Sequence, residues 1–461
     1  VALADTTDDL TERWAPARLI PTAGIKGQEE QERRATSALL AVMRAVPEFG
    51  QAVLKPLGPP RGRMSTFTEV PFKGADGKEC RPDGAIVIER GKTRWVCLLE
   101  VKTGDGELTS EQVTRYVDVA RAQGFDAVLT LSNAITSSVD HLPYAIDGRK
   151  LRTMPVRHLS WWRVITEAVV QRRYRKVSDP DQDWILGELI AYLDHEASGA
   201  SGFTDMGSQW VKARDAAHAG TLRASDPEAR EVCARFEQLT DYVALGLAQD
   251  LGADVSIVRS RKATVDQRVV DAVTRLVDSG TLSAALKIPD TVGPLEFCAD
   301  LRTRRVATRT TIRAPEEGRP LTNVNWLLRQ LADAPADLRI EVAFAGTRET
   351  TSELLSAARE DPSILLSPTD PKRSPRTFAL ELARPMGAKR GKLKGSFVGD
   401  TKAQIAAFYA DVLQGLSDWQ PRAPRLRAAD ADHRSDDLAS ADPPPALTGA
   451  RPVGEAAEPR E

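Results

Sequence analysis

The feature that most constrains the fold is a pair of apolar runs separated by a turn signal, in "RPDGAIVIERGKTRWVCLLEVKTG", residues 81–104. The runs AIVIE (85–89) and RWVCLLEVK (94–102) are rich in β-branched and large apolar residues and read as strands. Gly91-Lys92 between them suits a type II′ hairpin turn, which places Gly at the first central position. Cross-strand partners then sum to 183, so Asp83 falls opposite Glu100. Opposed residues share a sheet face, and Lys102, two residues further on, points the same way. A symmetric lengthening of the loop keeps this pairing.

An acid-x-Lys spacing alone carries little, because the chain holds four: Asp76-Gly-Lys78, Glu100-Val-Lys102, Asp370-Pro-Lys372 and Asp400-Thr-Lys402. Only the second ends a strong apolar strand opposite another acid. Two carboxylates held close together repel and are costly to desolvate unless a cation joins them. Oxygen ligands with open positions suit Mg²⁺ or Mn²⁺ at Asp83 and Glu100. Such an ion polarises a phosphoryl oxygen and acidifies a bound water, while an adjacent ammonium orients that water or stabilises developing charge. The set therefore suits phosphodiester hydrolysis. The same three residues also suit a salt-bridged hairpin end in which Lys102 neutralises Glu100.

The stretch resembles the motif of the PD-(D/E)XK nuclease superfamily, with Pro82-Asp83 as the PD and Glu100-Val101-Lys102 as the ExK. The element order around it is similar to that superfamily's core: an amphipathic helix from Gln28 to Leu54, strands at 67–72, 85–89 and 94–102, a helix at 110–123 opened by Thr109, then strands at 126–132 and 151–159. The resemblance covers about residues 25 to 160. It implies a restriction-endonuclease-like αβββαβ core with a mixed sheet, Asp83 and Glu100 as metal ligands and Lys102 as the catalytic lysine. Gln112-Val-Thr-Arg-Tyr116, preceded by VKTG, resembles the RecB-like branch, where this Gln-x-x-x-Tyr lies beside the DNA-binding active site. Gln112 also stands where a capping-box partner of Thr109 belongs, and Tyr116 borders the apolar stripe Val113, Val117, Ala120. The superfamily often adds an acid from its first helix. Glu32 lies two turns before Leu39 on the same face and points toward the sheet, whereas Glu29 is turned away. Glu32 is thus the expected additional acid, and its alternative role is a first-turn glutamate favoured by the helix dipole.

Beyond this core, residues 161–258 read as helical, with Asp-Pro helix starts at 179–180 and 226–227. Residues 259–420 alternate strand runs, such as RRVATRTTIR and RTFALELARP, with helices near 322–333, 350–360 and 401–417, and read as a separate α+β domain. Residues 1–24 are expected to be flexible. The tail 421–461 has no aromatic residue and few large aliphatics, a composition expected to stay disordered.

A formal charge of −2 gives no global basic signature, so contact with DNA has to come from local patches. Arg305, Arg309 and Arg313 share one face of a continuous strand and are expected to meet phosphates, as is the basic stretch 372–394. The scattered cysteines (Cys80, Cys97, Cys233, Cys298) and the five histidines lack zinc spacing. His158 and the tryptophans at 161, 162, 184 and 210 read as packing residues. No phosphate loop with a following Lys-Ser or Lys-Thr is present. An acidic N-terminus and the lack of a long apolar run lead us to expect a cytoplasmic protein without membrane contact, and the excess of arginine over lysine with abundant alanine points to a GC-rich bacterial genome. The expected activity is metal-dependent DNA hydrolysis, in defence against foreign DNA or in repair. A homodimer or a protein partner fits this reading. The alternative is a catalytically inactive nuclease-fold protein that acts as a nucleic-acid- or protein-binding regulator, and a third reading is a C-terminal domain that binds a ligand or partner and gates the nuclease.

Overall fold

A hairpin apolar on both faces needs cover from two sides. In the computed structural model, which describes residues 18–420 apart from 23, 74–78, 137–140, 201, 204, 261–262, 390 and 392, that cover comes from helices on each face. Most of the expected flexible N-terminus and all of the expected disordered tail lie outside the described residues. Helices α1 (Gln28–Ala45) and α2 (Pro47–Leu54) precede strand β1 (Arg63–Thr68). A small hairpin, β2 (Phe72–Lys73) and β3 (Glu79–Cys80), leads into β4 (Gly84–Arg90) and β5 (Thr93–Val101). Then follow α3 (Ser110–Ala122), β6 (Ala127–Ser132), a helical turn α4 (Gly148–Leu151) and β7 (Val156–Ser160). The sheet order is β1-β4-β5-β6-β7, antiparallel from β1 to β5 and parallel from β5 to β7.

The hairpin register is the one the turn predicts. Gly84 pairs with Leu99 and Arg90 with Thr93, and Gly91 takes a left-handed φ of 59° while Lys92 does not. Alternation then sorts the side chains. Ile86, Ile88, Cys97, Leu99 and Val101 pack beneath α1, α2 and two later helices, α5 (Trp161–Val170) and α6 (Pro180–Asp194). Ala85 and Leu98 face α3 through Val113, Tyr116 and Val117. By the same parity Asp83 and Glu100 belong to the α3 face.

The second core is built by α7 (Trp210–His218), α8 (Pro227–Leu251), β8 (Ser256–Ile257), α9 (Val265–Ser279), β9 (Thr281–Lys287), β10 (Leu295–Asp300) and β11 (Arg305–Arg313). It continues through α10 (Pro320–Gln330), β12 (Arg339–Phe344), β13 (Thr350–Leu354), α11 (Leu355–Glu360), β14 (Pro375–Pro385) and α12 (Phe397–Asp411). Its antiparallel sheet runs β13-β12-β14-β11-β10-β9-β8. The helical stretch 161–258 divides between the cores: α5 and α6 cover the first sheet, α7 and α8 the second.

Five sequence expectations are corrected. The helix from Gln28 to Leu54 is two helices bent by 115°, because Val46 precedes Pro47 and is driven out of the helical region (φ −119°, ψ 85°). The strand expected at 67–72 is β1 at 63–68, ended by Glu69 at φ 50° and by Pro71, which has no N–H to donate. The strand expected at 151–159 starts only at Val156, after α4 and Pro155. Residues 350–354, expected to be helical, pair with β12 as an edge strand. Trp161 and Trp210 are buried as expected, but Trp184 is half exposed. Among the described residues no single helix is long and apolar enough to cross a membrane; the bent α1–α2 pair reaches that length and composition only when its limbs are summed, and its large apolar side chains are core residues.

The α1–α2 corner closes on Gly50, where an added Cβ would lie 2.5 Å from the Met43 carbonyl oxygen. Helix propensity alone favours Ala over Gly by about 1 kcal/mol. The close approach reverses the sign: Gly50→Ala is expected to destabilise the fold by about 1–3 kcal/mol, read as a lowered denaturation midpoint.

Candidate active site

Asp83 immediately precedes β4, and its Oδ2 accepts the Val101 N–H at 2.7 Å. This bond ties the start of one strand to the end of the other. Glu100, next to last in β5, is 1% exposed. Lys102 leaves the strand with its N–H donated to the Leu131 carbonyl (2.8 Å) and its own carbonyl accepting from Trp161 Nε1 (2.9 Å). Its Nζ lies 3.0 Å from Glu100 Oε1 and 3.2 Å from Glu32 Oε2. The ammonium therefore joins the acid from α1 to the acid from β5. Glu29 is turned to solvent, paired with Arg33.

Glu32 is held in turn. Its Oε1 accepts from Gln28 Nε2 at 3.1 Å, one helical turn earlier, and from the Thr103 N–H at 3.5 Å. On the opposite side, Gln112 uses its backbone N–H for the Thr109 cap and turns its side-chain amide to Glu100 Oε1 and to the Tyr116 hydroxyl. Both the capping role and the site role expected of this helix start are thus filled by one residue, through different atoms.

Burial, and then the neighbouring Asp83 charge, push the Glu100 carboxyl up to about 7, with Lys102 and the Tyr116 hydroxyl opposing. Asp83 is also raised, by burial against the favourable Val101 N–H and Lys102. Burial pulls the Lys102 ammonium down, but Glu100, Asp83 and Glu32 together outweigh it and the net shift is upward. Tyr116 is pushed well above the usual phenol range by burial and by Glu100.

Metal fit can be tested on the donors. Glu100 Oε2 is buried without a hydrogen-bond partner, an expensive state for a carboxylate oxygen. Asp83 stands opposite, so two carboxylates offer oxygens at one strand end. Among the described residues no three His, Cys, Asp or Glu side chains form a ready metal cage. Mg²⁺ does not require one, since it is commonly held by one or two carboxylates and keeps several waters. The donor set fits a hard, water-rich cation and does not fit zinc.

The other expected residues lie elsewhere. Arg305, Arg309 and Arg313 project from β11 of the second sheet, outside the acidic cluster. Arg309 is engaged by Glu341 (3.4 Å) and Glu381 (3.5 Å), while Arg305 and Arg313 are exposed. In the basic stretch, Arg373 pairs with Glu349 and Arg384 with Asp337, and Arg390 and Lys392 lie outside the described residues. His158 is structural: buried, bonded to Thr130 and the Ala134 carbonyl, and pushed down to about 4 by burial. None of the four cysteines forms a disulfide.

The site contacts of three residues escaped the sequence reading. Gln28 stands four residues before Glu32, a helical spacing that could have flagged it. Trp161 and Glu69 carried no local signal. Glu69 adopts φ 50°, donates its N–H to the Asp83 carbonyl at 3.0 Å and pairs with Arg33. No protein-family model matches the chain, and a comparison with curated proteins finds no match.

The Glu100 shift has a signed consequence. Between about pH 4.5 and 7 the folded chain keeps a proton that the unfolded chain has lost, so without metal this group's contribution to stability falls as pH rises through that window. Glu100→Gln is expected to flatten the slope and raise stability at pH 8, by at most about 3 kcal/mol. Denaturation midpoints in EDTA at pH 5 and pH 8 measure this; an unchanged slope in the variant contradicts the assignment.

Proposed function

We propose that this chain is a divalent-metal-dependent deoxyribonuclease of the PD-(D/E)XK superfamily, close to its RecB-like branch. The observation that carries the reading is the unpartnered, buried Glu100 Oε2 opposite Asp83, beside an ammonium. Asp83 and Glu100 would hold Mg²⁺ or Mn²⁺, which supplies a Lewis acid for the phosphoryl oxygen and a more acidic water. The remaining work falls to side chains of the chain itself. Lys102, kept cationic by its three acidic neighbours, stabilises charge on the phosphoryl oxygens and orients the attacking water. Glu32 fixes where that ammonium sits. Gln112 and Tyr116 fix Glu100 from α3 and border the position where substrate would lie. A bacterial cytoplasmic setting, with a role in defence against foreign DNA or in repair, belongs to the same reading.

One observation favours a second reading. Lys102 already neutralises Glu100 and Glu32, as a purely structural ion cluster would require. A non-cleaving nucleic-acid- or protein-binding regulator on this fold would keep the same bonds.

Incubation with linear, circular and single-stranded DNA in Mg²⁺ or Mn²⁺ separates the two. The nuclease reading predicts cleavage abolished by EDTA and reduced at least about a hundredfold in Lys102→Ala. Retained DNA binding without cleavage in either metal favours the regulator. If the β11 arginines contact phosphates, Arg305→Ala and Arg313→Ala each lower the salt slope of DNA binding by roughly one, and Arg309→Ala by less, because its charge is shared with two glutamates.

A further inference from the structure

The Lys102–Gly104 segment is held by parts of the chain far away in sequence. Gly104 donates its N–H to the Gly199 carbonyl at 2.8 Å, and Asn133 Nδ2 donates to both the Gly104 carbonyl (2.9 Å) and the Gly199 carbonyl (2.8 Å). Gln28 Nε2 lies 3.2 Å from the Thr103 carbonyl, and Gln31 Nε2 reaches Ala197 at 3.3 Å. The loop that supplies Gly199 is itself hydrogen-bonded to α6: the Ser198 hydroxyl donates to the Leu193 carbonyl and accepts from the Ala200 N–H. Gly199 sits at φ 69°, and a Cβ there would lie 2.9 Å from Gln31 Oε1 and 3.0 Å from Thr103 Cβ.

Asn133 is anchored on its far side. The Ala134 carbonyl accepts from His158 Nε2 at 3.0 Å, and Ile135 is buried in the second core. The clasp thus joins the exit of β5 to the turn after α6 and, within two residues of Asn133, to the core built by residues 203–416.

We propose that Gly199 and Asn133 are positioning residues of the candidate site: they lock the Lys102–Gly104 strand exit so that the ammonium stays between Glu32 and Glu100. Thr103 supplies an N–H to Glu32, so movement of this exit displaces the lysine and the acid together. The effect on turnover rests on the nuclease reading, whereas the ordering of the segment does not. Gly199 lies beyond residue 160, so the αβββαβ segment lacks part of what holds its own lysine.

The test compares the full chain with Asn133→Ala, Gly199→Ala and Gly220→Ala. Gly220 has nearly the same φ, 68°, but nothing within 4 Å of an added Cβ, so it reproduces the backbone strain of Gly199 without the intrusion. Amide hydrogen exchange across 102–106 is expected to quicken about tenfold or more in both clasp variants, and not in Gly220→Ala. DNA cleavage in Mg²⁺ is expected to lose roughly ten- to a hundredfold in kcat with KM held within about twofold. Unchanged exchange at 102–106 in both clasp variants, or the same change in Gly220→Ala, overturns the proposal. So does full kcat in both variants where Lys102→Ala is inactive. If the wild type cuts no DNA, the nuclease reading fails, and the exchange pattern alone decides the clasp.

Discussion

The arrangement depends on one expensive burial: Glu100, a carboxylate almost without solvent, at the end of the central strand. Desolvation of an acid beside a second acid is unfavourable unless cations and donors surround it. Here they come from three directions. Lys102 supplies the charge, Gln112 an amide and Tyr116 a hydroxyl, while Asp83 is occupied by the Val101 N–H. The compensation is incomplete, because one oxygen of Glu100 has no partner. An apolar residue would fill this position at lower cost, which is why a buried, half-satisfied acid points to chemistry rather than to stability.

Much of this was legible in the sequence because it depends on local rules. A Gly-first turn fixes the hairpin register, and a period of two then fixes which side chains share a face, so the Asp83–Glu100 juxtaposition and the direction of Lys102 follow from counting. The helical period separates Glu32 from Glu29 in the same way. What escaped depends on contacts distant in sequence or on positions without a clean pattern. β1 is an edge strand, only half buried, and "RMSTFT" alternates too weakly to be read. The break at Pro47 was marked by proline but masked by the continuing apolar spacing into α2. The bond between Gly104 and Gly199 leaves no sequence signal at all, since any glycine-ended helical turn resembles it.

The two cores share the work unequally. The first core carries the acids and the lysine, yet part of its helical cover comes from α5 and α6, outside the segment that resembles a nuclease core. Trp161 at the head of α5 donates to the Lys102 carbonyl, and Asn133 and Ile135 lead from the site toward the second core. The second sheet places arginines on its open face, the central one shared between two glutamates.

The proposed chemistry rests on a divalent cation held by Asp83 and Glu100. Diffraction from crystals soaked in Mn²⁺ at pH 8, recorded near the manganese absorption edge, tests it most directly. An anomalous peak is expected within coordination distance of Glu100 Oε2 and an Asp83 oxygen, absent in Glu100→Gln. No peak at saturating Mn²⁺, with the Lys102 ammonium still between Glu32 and Glu100, would contradict it.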